Sequence, residues 1–102
     1  MRRITFHEEA GSEVYQAALY YEDRAPNLGL AFLDEIEKAS QRTLDNPMAY
    51  QSVGDEVRKV PVARFPYNVL YAIEPDERIR VIAVAHQKRR PGYWRKRLWI
   101  ES

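Results

Sequence analysis

Between Lys88 and Arg97 the chain places six cations, Lys88, Arg89, Arg90, Arg95, Lys96 and Arg97, with no carboxylate among them and with Tyr93 and Trp94 in between. Cations interleaved with aromatic rings suit phosphates and stacked bases, or an acidic groove on another protein. Six like charges so close together repel one another, which favours a bound partner over a merely solvated face. Trp94 reads as core packing, because aromatics beside a proline near a chain end pin the last segment onto the domain. Tyr93 stays open between packing and contact. Other chemistries lack their residues. His7 and His86 are far apart in sequence and there is no cysteine, so no zinc site is expected. There is neither a glycine-rich phosphate loop nor a nucleophile elbow, and no cofactor is expected.

The segment that delivers these cations is the most apolar of the chain. Ile79, Val81, Ala83 and Ala85 alternate with Arg80, Ile82, Val84 and His86, so from Val81 onward both faces are apolar, as in a strand covered on both sides. Upstream, Arg3 to Phe6 alternates briefly and reads as an edge strand. Glu8 and Glu9 sit where a helix N-terminus favours negative charge, and Ala10, Val14, Ala17, Ala18 and Tyr21 form one helical stripe. Arg24-Ala25-Pro26-Asn27 breaks it, and a second helix is expected from about Asn27. Phe32, Ile36, Ala39 and Thr43, with Leu28 and Leu33 beside them, give its buried stripe, which Asn46-Pro47 ends. The short connection predicts an antiparallel hairpin of helices.

Met48 to Asp55 has no period and reads as a loop. Val57 to Val62 is a strand whose Pro61 belongs at an edge or bulge, Tyr67 to Ile73 alternates cleanly, and Glu74-Pro75-Asp76-Glu77 turns the chain into the apolar strand. The expectation is an α+β fold in the order β-α-α-β-β-β, with the helical hairpin on one face of a small, mainly antiparallel sheet and the other face open in part.

Length and composition agree with a single domain over residues 1–102, with a modest core. The absence of cysteine fits a reducing compartment. No apolar run approaches the ~20 residues of a membrane span and no signal-peptide core follows Met1, so a soluble, cytoplasmic protein with no membrane partner is expected. The net charge of +1 conceals an asymmetry: residues 1–55 hold five Lys/Arg against ten Asp/Glu, and residues 56–102 hold eleven against five. If the halves form different surfaces, the basic one steers encounter with a polyanion or an acidic partner.

The order of elements, the proline ending the second helix (Asn46-Pro47), Val57-Arg58, the run Arg64-Phe65-Pro66-Tyr67-Asn68-Val69-Leu70-Tyr71, the run Ile82-Ala83-Val84-Ala85-His86, and Pro91-Gly92-Tyr93-Trp94-Arg95 together resemble the RelE/ParE superfamily of toxins from type II toxin–antitoxin modules. The resemblance covers nearly the whole chain. It implies a small bacterial toxin in a hetero-oligomer with a cognate antitoxin whose C-terminal segment wraps the domain. RelE-like members are ribosome-dependent ribonucleases that cut mRNA with arginines and lysines on the sheet and a tyrosine near the C-terminus. ParE-like members poison DNA gyrase. Here Arg58 and Tyr93 fall near positions of the ribonuclease set, whereas Asn68 and Gln87 stand where the ribonucleases carry arginines, which leans the reading toward ParE-like.

Cleaving RNA through its own 2′-hydroxyl needs a base, cations around the phosphorane and an acid for the leaving oxygen. In a ribonuclease His86 would be the base, Arg58 and Arg64 the charge clamp, and Tyr93 the acid or a stacking platform. The competing reading of His86 is a histidine hydrogen-bonded at a strand end, and that of Arg58 is pairing with Glu56 or with an antitoxin carboxylate. Arg58 and Arg64 are therefore also the candidate antitoxin contacts. In a gyrase poison the target surface would be Lys88, Arg89, Arg90, Tyr93, Arg95, Lys96 and Arg97. A third reading, from another class, is a nucleic-acid-binding or structural module without toxicity.

Overall fold

The computed structural model describes residues 3–99; the ends of the expected 1–102 domain lie outside the described residues. The chain runs β1 (Ile4–Phe6), α1 (Glu8–Arg24), α2 (Leu28–Asp45), β2 (Gln51–Ser52), β3 (Val57–Pro61), β4 (Tyr67–Ile73) and β5 (Ile79–His86), then a 3-10 turn at Arg95–Leu98. The sheet order is β1-β5-β4-β3-β2, with β1 parallel to β5 and every other pair antiparallel. The expected α+β architecture is thus present, with β1 on an edge. No helix among the described residues is long and apolar enough to cross a membrane.

The hairpin of helices covers one sheet face. Ala10, Ala17 and Ala18 of α1 and Phe32, Ile36 and Ala39 of α2 pack with Val60, Val69, Tyr71, Ile79, Val81 and Val84. A glycine on α2 lets the helices close up: a Cβ at Gly29 would lie 2.5 Å from the Ala18 carbonyl oxygen of α1. The start of α2 is capped from α1. Asn27 sits in the left-handed region (φ 69°) and offers no side-chain cap, and the Glu22 carboxylate instead accepts the N–H groups of Asn27 (2.9 Å) and Gly29 (3.0 Å). An acceptor at a helix N-terminus satisfies donors that no turn of the helix can reach.

Phe65-Pro66-Tyr67 is packing. Phe32 stands edge-on to Phe65 (5.2 Å) and Tyr67 (5.1 Å), with Tyr21 against both Phe32 and Phe65. Further along the same face of β4, the Tyr71 hydroxyl donates to the Pro47 carbonyl (2.6 Å) and pins the chain leaving α2.

Three expectations need correction. The stretch Met48 to Asp55 is not all loop: Gln51 and Ser52 pair with Lys59 and Arg58, which moves β3 off the edge. Two exposed residues carry no period to read. Pro61 keeps its freedom because β2 stops short of it. Leu33 is not buried with its neighbours; it is exposed on the outer side of the hairpin, because the sheet meets α2 through Phe32, Ile36, Ala39 and Thr43. Finally, the second sheet face is largely covered. Val57, Leu70, Ile82, Ala83 and Ala85 form a second core closed by Trp94, with Tyr93 and Leu98 beside it. A bulge makes this possible: Leu70 pairs with Ala83 and Tyr71 with Val81, so Ile82 is an extra residue on β5. The extra residue shifts the alternation, leaving Val81 and Val84 under the helices and Ile82, Ala83 and Ala85 on the opposite face.

Candidate functional site

Beyond His86 the chain folds back over the second face. Gly92 takes a left-handed conformation (φ 77°), which glycine adopts without strain, and sends Trp94 into the second core, 4% exposed. Trp94 is therefore a packing residue, as its neighbours in sequence suggest. Around it lies a shallow cleft of about 180 Å3, lined by Lys59, Asn68, Gln87, Arg89, Tyr93 and Arg95 among others. Lys88, Arg89, Arg90, Arg95 and Lys96 are all exposed, so five of the six cations of the run present charge to solvent, and Arg89, Arg90 and Arg95 line the cleft.

The sixth does not. Arg97 keeps only 10% of its side chain exposed and makes a two-pronged contact with Glu13 of α1, Nη1 to Oε1 at 2.9 Å and Nη2 to Oε2 at 3.0 Å. Burial works against its charge, but the hydrogen bonds and charge of the Glu13 carboxylate outweigh it and leave the guanidinium pKa above its ordinary value. Tyr93 joins the same carboxylate: its hydroxyl donates to Glu13 Oε2 at 2.6 Å. Burial first, and then the hydrogen bond to Glu13, push its pKa far above the usual tyrosine range. Two guanidiniums lie over its ring, Arg89 at 3.8 Å and Arg97 at 5.1 Å from the ring centre. Arg95 forms an exposed ion pair with Asp55 at 2.7 Å.

The four residues that an RNA-cleaving site would use do not share this cleft. His86 and Tyr93 line it, and Arg58 and Arg64 do not. Strand alternation puts Arg58 on the face of Val60, under the helices, while Lys59 turns to the cleft. The Arg58 guanidinium donates to the Tyr50 carbonyl (2.6 Å), so its partner is neither Glu56 nor open solvent. Arg64, itself left-handed (φ 71°) and mostly exposed, reaches Glu35 of α2 at 3.9 Å. His86 Nδ1 accepts the Lys88 N–H (3.0 Å), which in the neutral ring occupies the basic nitrogen, and its ring stands against Tyr67. Tyr93, holding its proton tightly, is poorly matched to donate it.

Glu13, Asp55 and Lys59 were not singled out from the sequence. For Glu13 a signal existed: it follows Ala10 by three and precedes Ala17 by four, so it flanks the buried stripe of α1. For the other two there was none, since their roles depend on where β3 and the C-terminal turn come together.

Relatives of known structure share the architecture. The chromosomal ParDE toxin–antitoxin system of P. aeruginosa contains a chain that matches with a TM-score of 0.73 and 16% identity, over 84% of this chain and 96% of that one. The isolated RelE toxin of E. coli matches with a TM-score of 0.59 and 17% identity, over 94% and 95%. At such identities the likeness shows the fold. No curated protein sequence matches the chain. The family of ParE toxins of parDE type II toxin–antitoxin systems does match, over residues 4–91, which leaves Gly92 and the residues after it outside the matched segment. A match that runs from the first strand to beyond the last means that this chain belongs to that ParE toxin family.

Proposed function

We propose that this ParE-family toxin arrests bacterial growth by binding and inhibiting DNA gyrase, with the exposed cations Lys88, Arg89, Arg90, Arg95 and Lys96 forming the centre of the contact. The observation that carries this reading is the division of labour among the cationic residues. Five cations of the C-terminal segment are exposed, three of them on the cleft, whereas Arg58 and Arg64 stand apart from the cleft and Tyr93 is tied up by Glu13. Such an arrangement suits binding, in which energy comes from a surface with a few anchors, better than proton-transfer chemistry. The antitoxin neutralises the toxin by wrapping the domain, with Arg64 as its charged contact; Arg58 is engaged by the Tyr50 carbonyl and contributes less.

Ribosome-dependent mRNA cleavage is the second reading, supported by the cleft, where Lys59 and Arg89 flank Asn68 and Gln87. One experiment separates the two. Purified toxin is added to a gyrase supercoiling reaction and, separately, to a translating extract followed by mapping of mRNA ends. Inhibited supercoiling with intact mRNA is the expected result. Cut mRNA with normal supercoiling would overturn the gyrase reading, and failure of both together with normal growth at high expression would leave a non-toxic module.

A further inference from the structure

Glu13 stands where three parts of the chain meet. β1 pairs with β5 only as far as Phe6 opposite Val81, and the His7 N–H closes that pairing on the Val81 carbonyl. Past Val81 the outer edge of β5 has no neighbouring strand among the described residues. Side chains take the strand's place. Glu13 Oε1 accepts the Val84 N–H (3.0 Å), and Arg97 Nη1 donates to the Ile82 carbonyl (3.1 Å), so an acid from α1 and a base from the C-terminal turn satisfy the edge together. With the Arg97 and Tyr93 contacts, each carboxylate oxygen receives two hydrogen bonds. A carboxylate offers about four lone-pair sites, and here all are used.

Three of those bonds come from the C-terminal segment, and what they hold down is the frame of the cationic surface. Tyr93 presents its ring to Arg89, and Arg97 lies directly after Lys96. The other charged tethers of the segment are weaker: Arg95 to Asp55 is exposed, and Arg97 reaches the exposed Glu9 only at 3.7 Å. Trp94 fastens the middle of the segment in the second core, but without the Glu13 carboxylate the flanking Tyr93 and Arg97 would lose their shared acceptor and the like charges around them would be free to spread.

We propose that Glu13 is the positioning residue of this toxin: its carboxylate fixes the segment from Lys88 to Arg97 against the edge of β5, so that the cationic surface meets its target already ordered. A surface ordered in advance does not lose that freedom on binding. The inference rests on the reading of this segment as the target contact.

The test uses the full chain with Glu13→Gln, Glu13→Asp and, as a control, Glu37→Gln on the exposed side of α2. Hydrogen exchange is followed at the amides of Arg95, Arg97 and Trp99 and at those of β4, and growth arrest is measured at matched levels of soluble protein. Glu13→Gln is expected to keep β4 protected, to speed exchange in the C-terminal segment about tenfold or more, and to cut growth arrest by a similar factor. Glu13→Asp, which keeps the charge, restores part of the arrest, and Glu37→Gln changes neither readout. If Glu13→Gln fails to fold, Tyr93→Phe removes one of the same bonds and is expected to move both readouts in the same direction. Unchanged exchange in the segment overturns the anchoring role. Faster exchange with full growth arrest overturns the positioning role while leaving the target reading intact. A wild-type chain that does not arrest growth overturns the target reading itself, and with it the positioning role.

Discussion

Tyr93 keeps its proton because its hydroxyl is half of a bond to a carboxylate and because its surroundings disfavour a phenolate. Burial likewise raises the pKa values of Tyr21, Tyr67 and Tyr71. With the folded value above the unfolded one, the contribution to stability is fully present below about pH 10 and is lost as pH rises through the raised folded value. A titration followed by phenolate absorbance is therefore expected to show these four tyrosines ionising late, with unfolding in the same alkaline range. Tyr93→Phe removes the largest of the shifts and should make that loss of stability less steep. Arg97 answers a different question. Replacing it by Glu sets two carboxylates against each other in a nearly closed site, and breaking such a pair costs about 3–5 kcal/mol, readable by urea unfolding. Reversing Arg95, Lys96 and Arg97 together is thus not a clean probe of target binding. The sequence displayed Arg97 as one cation among six, and nothing local marks it as the buried one. Its burial depends on Glu13, a partner 84 residues away.

At the level of elements, both helices, the strands β3, β4 and β5, and the edge position of β1 were legible from periodicity and turn residues. The two-residue β2 was not, since Gln51 and Ser52 are both exposed and form a strand only because β3 offers them an edge. The bulge at Ile82 was also hidden. A run in which every residue is apolar tells the same story with or without a change of phase. The junction of the helices gives a sharper expectation. Gly29→Ala drives a methyl group against the Ala18 carbonyl and the Glu22 side chain, and the helices must separate. Overpacking of this kind costs about 1–3 kcal/mol, which urea unfolding would register as a lower midpoint with an unchanged slope.

On the scale of the whole molecule, charge is divided between two bodies. The helical hairpin, residues 8–45, holds nine carboxylates against three cations, and the exposed cations of the C-terminal run lie on the segment that folds back over the opposite sheet face. A field of this kind accelerates encounter with an anionic partner and is screened by salt. Binding to the target should therefore slow by about tenfold or more as salt rises from about 20 to 200 mM, measured by stopped flow or surface binding. The variant Lys88→Glu, Arg90→Glu, Lys96→Glu reverses exposed charges only. It should shift stability by about 0.5 kcal/mol or less per site while lowering both the association rate and toxicity.

The pairing of β1 with β5 also has a consequence in time. Ile4 lies beside Ile79, and Glu13 is bonded to a residue 84 positions later, so the first elements to be made wait for the last ones to complete them. At roughly 5–20 residues per second that wait lasts about 4–17 seconds of synthesis. During it the helices can pair with each other but have no sheet beneath them, and their apolar stripe is open to any partner that arrives first. Glu13 meanwhile holds nothing. A ParE chain built in this order acquires its cationic surface only at the end of its own folding, which gives a partner that recognises the helices several seconds' lead over the target.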